Sequence, residues 1–298
     1  MYLIKAETLT DIADAIREKT GATDAIAVSD MATAISGISD STNTGDGSED
    51  TLLSGSLSGA YENDRITGIR TGAFWGCKSL TSVSLPNVTG AGTAKLSYAF
   101  RECSALVSVS LPAYTSTLSG GSTFVACSNL KTVSVPNLSE GPLGSSSFTG
   151  CTSLTEISFA DKVTSIGTNA FERCKGLVEV RFPIATQVAG YAFKECTSLV
   201  TADFHVVTGL YAQAFYKCSA LTALILRGPT VVTLGGSNHI SDTPIASGTG
   251  YIYVPASLID AYKATSGWST YAAQFRALED YTVDGTTTGD LDPTKVAA

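Results

Sequence analysis

Phe74, Phe100, Phe124, Phe148, Phe171, Phe193 and Phe215 are each followed three residues later by a cysteine, at Cys77, Cys103, Cys127, Cys151, Cys174, Cys196 and Cys218. Three residues further on stands a leucine, at Leu80, Leu106, Leu130, Leu154, Leu177, Leu199 and Leu221. No cysteine falls outside this pattern, and successive phenylalanines are 26, 24, 24, 23, 22 and 22 residues apart. A frame repeated at such an interval marks a stack of identical supersecondary units, too short for a propeller blade or a pair of helices. One unit cannot bury its own Phe and Leu, so each must rest on its neighbour and the chain must coil.

The leucine opens a second pattern, L-x-x-Z-x-Z, whose apolar Z pairs run from Val83/Leu85 to Leu224/Leu226. Alternation of period two predicts a short strand with alternate residues buried, and stacked copies make a narrow parallel sheet. Pro86, Pro112, Pro136 and Pro183 follow four of the copies and stop the ladder. Weaker apolar pairs before some phenylalanines (Ile66/Ile69, Val163/Ile166, Val207/Leu210) predict a second extended wall opposite the first. The expected fold is an α/β-solenoid of the leucine-rich-repeat type, with about seven coils over residues 60–250. The seven thiols read as small buried hydrophobes rather than as metal or redox ligands, since their number is odd and no C-x-x-C pair is present.

The repeated frame, in "AFWGCKSLTSVSLPNV", "AFRECSALVSVSLP" and "SFTGCTSLTEISF", resembles the BspA-type leucine-rich repeat of surface proteins and adhesins of anaerobic and gut bacteria and some protozoa. The resemblance implies a non-enzymatic binding surface. The segment 251–278 is similar to the end-piece that follows such arrays, and a capping strand and helix are expected over 251–282. Its own pattern predicts a strand through Val254, a turn at Pro255, and a helix that closes the core with Leu258, Ile259 and Tyr262. Trp268, Tyr271 and Phe275 supply the remaining cover or, alternatively, an aromatic binding platform.

"MYLIKAETLTDIADAIREKTGATDAIAVSDMATAIS" and "ALEDYTVDGTTTGDLD" are similar to segments of tail and other virion proteins of phages of Gram-positive gut bacteria. That likeness implies a virion protein that contacts other virion proteins or itself through residues 1–39 and a host cell-surface protein or glycan through the repeats. The alternative is a bacterial cell-surface or secreted adhesin. Residues 1–39 themselves predict two short amphipathic helices, the first with Leu9, Ile12, Ala13 and Ile16 on one face. Such a unit is suited to self-association or docking, or packs on the first coil. Residues 40–59 read as a Gly/Ser-rich linker and residues 283–298 as an acidic tail.

Composition narrows the partners. A net charge of -8 and the lack of a basic stripe argue against nucleic acid. The N-terminus turns charged where a signal peptide stays apolar, so neither export by that route nor direct membrane insertion is expected. Only two histidines occur, His205 and His239, and no hydrolase, nucleotide or metalloprotease motif is present, so neither an enzyme nor a cofactor is expected. The outward strand positions carry hydroxyls in the first rungs and charge in the later ones. Solubility is the default reading of this face. Ligand contact is placed at Glu156, Ser158, Glu179, Arg181, Thr201 and Asp203.

Overall fold

The computed structural model describes residues 57–64, 66–90 and 96–281; the helices expected over 1–39, most of the linker and the acidic tail lie outside the described residues. The strands in chain order are β1 (Ser58–Glu62), β2 (Ser79–Ser84), β3 (Ser108–Ser110), β4 (Thr132–Ser134), β5 (Gly141–Leu143), β6 (Val163–Ile166) and β7 (Glu179–Phe182). They continue as β8 (Gln187–Val188), β9 (Thr201–Phe204), β10 (Gly209–Tyr211), β11 (Ala223–Leu226), β12 (Thr233–Gly235), β13 (Tyr251–Val254) and β14 (Phe275–Ala277). All of their pairings are parallel. The L-x-x-Z-x-Z wall is two sheets, β1-β2-β3-β4 and β7-β9-β11-β13-β14, and the opposite wall is β5-β6-β8-β10-β12. Between β4 and β7 the fourth repeat forms no strand. There the Ser158 hydroxyl donates to the Val133 carbonyl (3.1 Å), holding the stack together across the gap.

The core runs along the coil axis. Successive phenylalanine rings stack at 5.0, 5.2, 5.0, 5.4, 5.3 and 5.1 Å, and the seven cysteines beside them are buried and free. From Cys103 onward each thiol donates to the carbonyl of the preceding coil's phenylalanine, as in Cys103 to Phe74 and Cys127 to Phe100 (both 2.9 Å). A carbonyl turned into the core is thereby satisfied by the one small side chain that is both apolar enough for the site and able to donate.

The expectation of an α/β-solenoid is corrected to a β-solenoid with little helix. The only α-helix among the described residues is α1 (Ile259–Ala264). F-x-x-C has helical spacing, yet the residues two before and two after each Phe have positive φ. Examples are Tyr98 (55°) and Glu102 (62°), Asn169 (58°) and Arg173 (61°), and Gly72 (71°) and Gly76 (72°). A left-handed residue every fourth position breaks any i to i−4 ladder. The Phe amide instead bonds the next coil, as in Phe171 to the Ala192 carbonyl (2.7 Å).

An eighth, degenerate coil follows the seven. Asn238 and Asp242 (both φ 57°) flank a buried Ile240 as the other pairs flank Phe, and the Phe215 amide bonds the His239 carbonyl at 2.8 Å. Ile240 and Thr243 stand where Phe and Cys stand elsewhere. Beyond β13, Tyr262, Trp268 and Phe275 are buried with centroids 5.3 to 6.1 Å apart, while Leu258, Ile259 and Tyr271 pack partly buried on the core. The Trp268 indole donates to the Val232 carbonyl (2.7 Å), and the Val232 amide donates to the Tyr262 hydroxyl (3.0 Å).

Candidate binding surface

Register places the outward residues of the strand wall in columns. Ser82, Ser108 and Thr132 align, as do Ser84, Ser110 and Ser134; Glu179 lies beside Thr201 and Ala223, and Arg181 beside Asp203 and Ile225. Glu156, Ser158, Glu179 and Arg181 are exposed. Thr201 and Asp203 are not: they retain 7% and 2% of their surface. Pointing outward and meeting solvent have separated here, and over Asp203 the cover is a side chain from the next coil.

Arg227 covers Asp203 with a two-pronged contact, Nε to Oδ1 at 2.8 Å and Nη2 to Oδ2 at 3.0 Å. Arg181 approaches the same carboxylate at 3.9 Å and His205 at 3.8 Å, while Arg181 Nε donates to His205 Nε2 at 3.3 Å. Burial holds the His205 imidazole below its ordinary range, and the neighbouring Arg181 and Arg227 oppose the raising effect of Asp203. A neutral ring accepting from Arg181 fits that direction. Further along, Ala223, Ile225 and Tyr253 form a separate apolar cluster with Tyr251 and Leu278, and the Arg276 guanidinium lies 4.1 Å from the Tyr251 ring centre. The outer face is thus open over the hydroxyl rungs, charged in the middle and covered at its C-terminal end.

The second surface is the corner formed by the residues around each Phe. In the later coils it is ionic. Arg173 meets Glu195 (3.0 Å), Lys194 meets Glu172 (3.1 Å), and Arg173 holds the Glu195 carboxyl below its usual range. In the first two coils it is aromatic: Trp75 (44% exposed) and Tyr98 (39%) stack at 6.0 Å, with the Arg101 guanidinium 5.2 Å from the indole centre. Reading the strand wall alone missed this cluster. Its signal was the offset from Phe, since the position one after that residue is exposed or partly exposed in every coil, and the position two before it in every coil but the first, where Gly72 is buried. No group of three or more His, Cys, Asp or Glu that could hold a metal ion comes together among the described residues.

Short parallel strands stacked coil on coil, with one Phe, one Cys and one Leu per turn, define a leucine-rich-repeat solenoid. The chain matches the family described as BspA type leucine rich repeat region in six copies, over residues 54–142 and 141–249, and it belongs to that family. Among solved structures it is similar to a leucine rich cell surface protein from Faecalibacterium prausnitzii A2-165 (24% identity, TM-score 0.46, covering 67% of this chain and 49% of that one). The chain thus spans about half the length of that protein. It is also similar to a T. pallidum leucine rich repeat protein (26%, TM-score 0.44, covering 60% and 78%) and a leucine-rich repeat protein from Bacteroides ovatus ATCC 8483 (18%, TM-score 0.38, covering 75% and 72%). No curated protein matches the chain. No helix among the described residues is long and apolar enough to cross a membrane.

Proposed function

We propose that the protein is a non-enzymatic recognition protein working outside a bacterial cell, with the solenoid as the part that meets a protein or glycan partner. One observation carries this reading: the buried slots repeat almost unchanged as Phe, Cys and Leu, whereas the slots that reach solvent wholly or in part change from coil to coil. The slot after Phe holds Trp75, Arg101, Val125, Thr149, Glu172, Lys194 and Tyr216 in turn. Core slots answer only to packing; the varied outer slots on a rigid frame supply specific contacts.

Within this reading the finer assignment is a virion protein of a phage of Gram-positive gut bacteria, attached to other virion proteins or to itself through residues 1–39. Its support is the likeness of the two terminal segments to virion proteins. A cell-surface adhesin is the second reading, supported by the BspA-type repeats. Glu156, Ser158, Glu179 and Arg181 are the exposed contacts on the strand wall, with Thr201 and Asp203 shaping the surface beneath them.

Labelled full-length protein should bind intact cells, and Glu156→Gln, Glu179→Gln and Arg181→Gln combined should weaken that binding. An antibody to the chain should find it in density-banded particles for the virion reading, or in the cell envelope for the adhesin. Absence from both, together with no binding to any cell tested, would overturn the proposal.

A further inference from the structure

The geometry points to a saccharide-binding site at the corner of the first two coils, formed by Trp75, Tyr98 and Arg101, whose ligand is the pyranose ring of a neutral or acidic glycan. This rests on the recognition reading and gives it a place and a ligand class.

The fold does not require these residues. The slot of Trp75 accepts Val, Thr, Glu and Lys in other coils, so no packing need explains the largest apolar side chain exposed there. The slot of Tyr98 is left-handed at φ 55° and is filled by Gly72, Ser122, Ser146, Asn169, Tyr191 and Gln213 in the other coils, so the backbone path does not call for a tyrosine there. Placing a tyrosine there sets its ring at 6.0 Å from Trp75, the planes only 16° apart. Arg101, itself 3.1 Å from Glu102, then steadies the indole from the same following coil. The outcome is an aromatic pair ordered before any ligand arrives, with charged hydrogen-bonding groups at its rim.

That combination suits a sugar. The C–H face of a pyranose is apolar and slightly positive and meets the negative face of an indole, while its equatorial hydroxyls reach outward to donors and acceptors at the rim. Pre-ordered aromatic rings lose little entropy on binding. A cationic ligand is disfavoured because Arg101 already occupies the aromatic cluster, and a nucleic acid because the chain carries a net charge of -8. A polyproline peptide is the competing class, and it needs a groove between aromatic ridges.

The chain has two tryptophans, and Trp268 is fully buried, so quenching of tryptophan fluorescence by acrylamide reports on Trp75. Full-length protein would be titrated with soluble cello-, chito- and galacturono-oligosaccharides and, separately, with a proline-rich peptide. At least one saccharide should protect Trp75 saturably. Tyr98→Ala should weaken that binding about tenfold or more while leaving the unfolding midpoint near wild type. Trp75→Ala should abolish binding measured by calorimetry. Protection by the peptide and by no saccharide overturns the ligand class. Wild-type cell binding by Trp75→Ala, with no saccharide protecting the indole, overturns the site and leaves the recognition reading standing. Saccharide protection without binding to any cell supports the site while counting against that reading.

Discussion

Asp203 separates a ligand-contact role from a structural one, and Asp203→Asn tests it with almost no change in shape. The carboxylate is 2% exposed and accepts two charge-assisted hydrogen bonds, at 2.8 and 3.0 Å, from Arg227 of the next coil. Hydrogen bonds to charged groups contribute about 1.5–3 kcal/mol each when buried. The Arg227 side chain is 23% exposed, so part of that is screened. Asparagine keeps one acceptor but turns an amide N–H toward the guanidinium. The net cost is about 2–3 kcal/mol, below the loss expected for breaking a fully buried pair. For a chain of this size that lowers the thermal midpoint by roughly 4–10 °C. Glu179→Gln, at an exposed position two residues from Arg181, should stay within about 0.5 kcal/mol of wild type. Circular dichroism melts of Asp203→Asn, Arg227→Gln and the double variant give the coupling: Asp203→Asn should cost much less once Arg227 is gone. An equal cost in both backgrounds, or a midpoint within about 1 °C of wild type, refutes the ion-pair argument.

Phe171→Ala, in a fully buried ring between Phe148 and Phe193, should cost about 3–5 kcal/mol by urea unfolding, and an unchanged midpoint would remove it from the core. Gly76 and Ala126 share one left-handed corner slot (φ 72° and 60°), and a Cβ on Gly76 meets no atom within 4 Å. Gly76→Ala should therefore cost about 1 kcal/mol from backbone strain alone, and Ala126→Gly should be neutral or stabilising; the opposite order excludes strain as the cause. The neighbouring Cys127 thiol and burial push Cys103 up to about 12, burial pushes Cys174 upward, and burial together with the adjacent thiols pushes Cys151 and Cys196 upward. Unfolded thiols ionise near pH ~8.5, so the native state holds its protons longer; stability is intact below that pH and falls as pH rises toward 12, by at most about 1.4 kcal/mol per thiol per pH unit. Under reducing conditions the urea midpoint should drop between pH 7.5 and 9.5, and a flat profile contradicts the burial of the thiols.

Phe, Cys and Leu at fixed spacing were enough to imply stacked coils, because each repeat can bury those side chains only against a copy of itself. The alternating Z pairs likewise marked the strand wall. Whether Tyr98 or Arg173 takes a positive φ depends on hydrogen bonds to the following coil, which no local propensity contains. The eighth coil was hidden because Ile240 and Thr243 replace the marker residues while keeping the backbone path. The surface was least readable. Strand alternation told which residues point outward, but Arg227 buries Asp203 from 24 positions away in the chain. Stacking also brings Trp75 against Tyr98 and Arg101 across the corner. Periodicity acts within one coil and is written in the sequence; exposure and clustering arise between coils, so only the tertiary structure decided them.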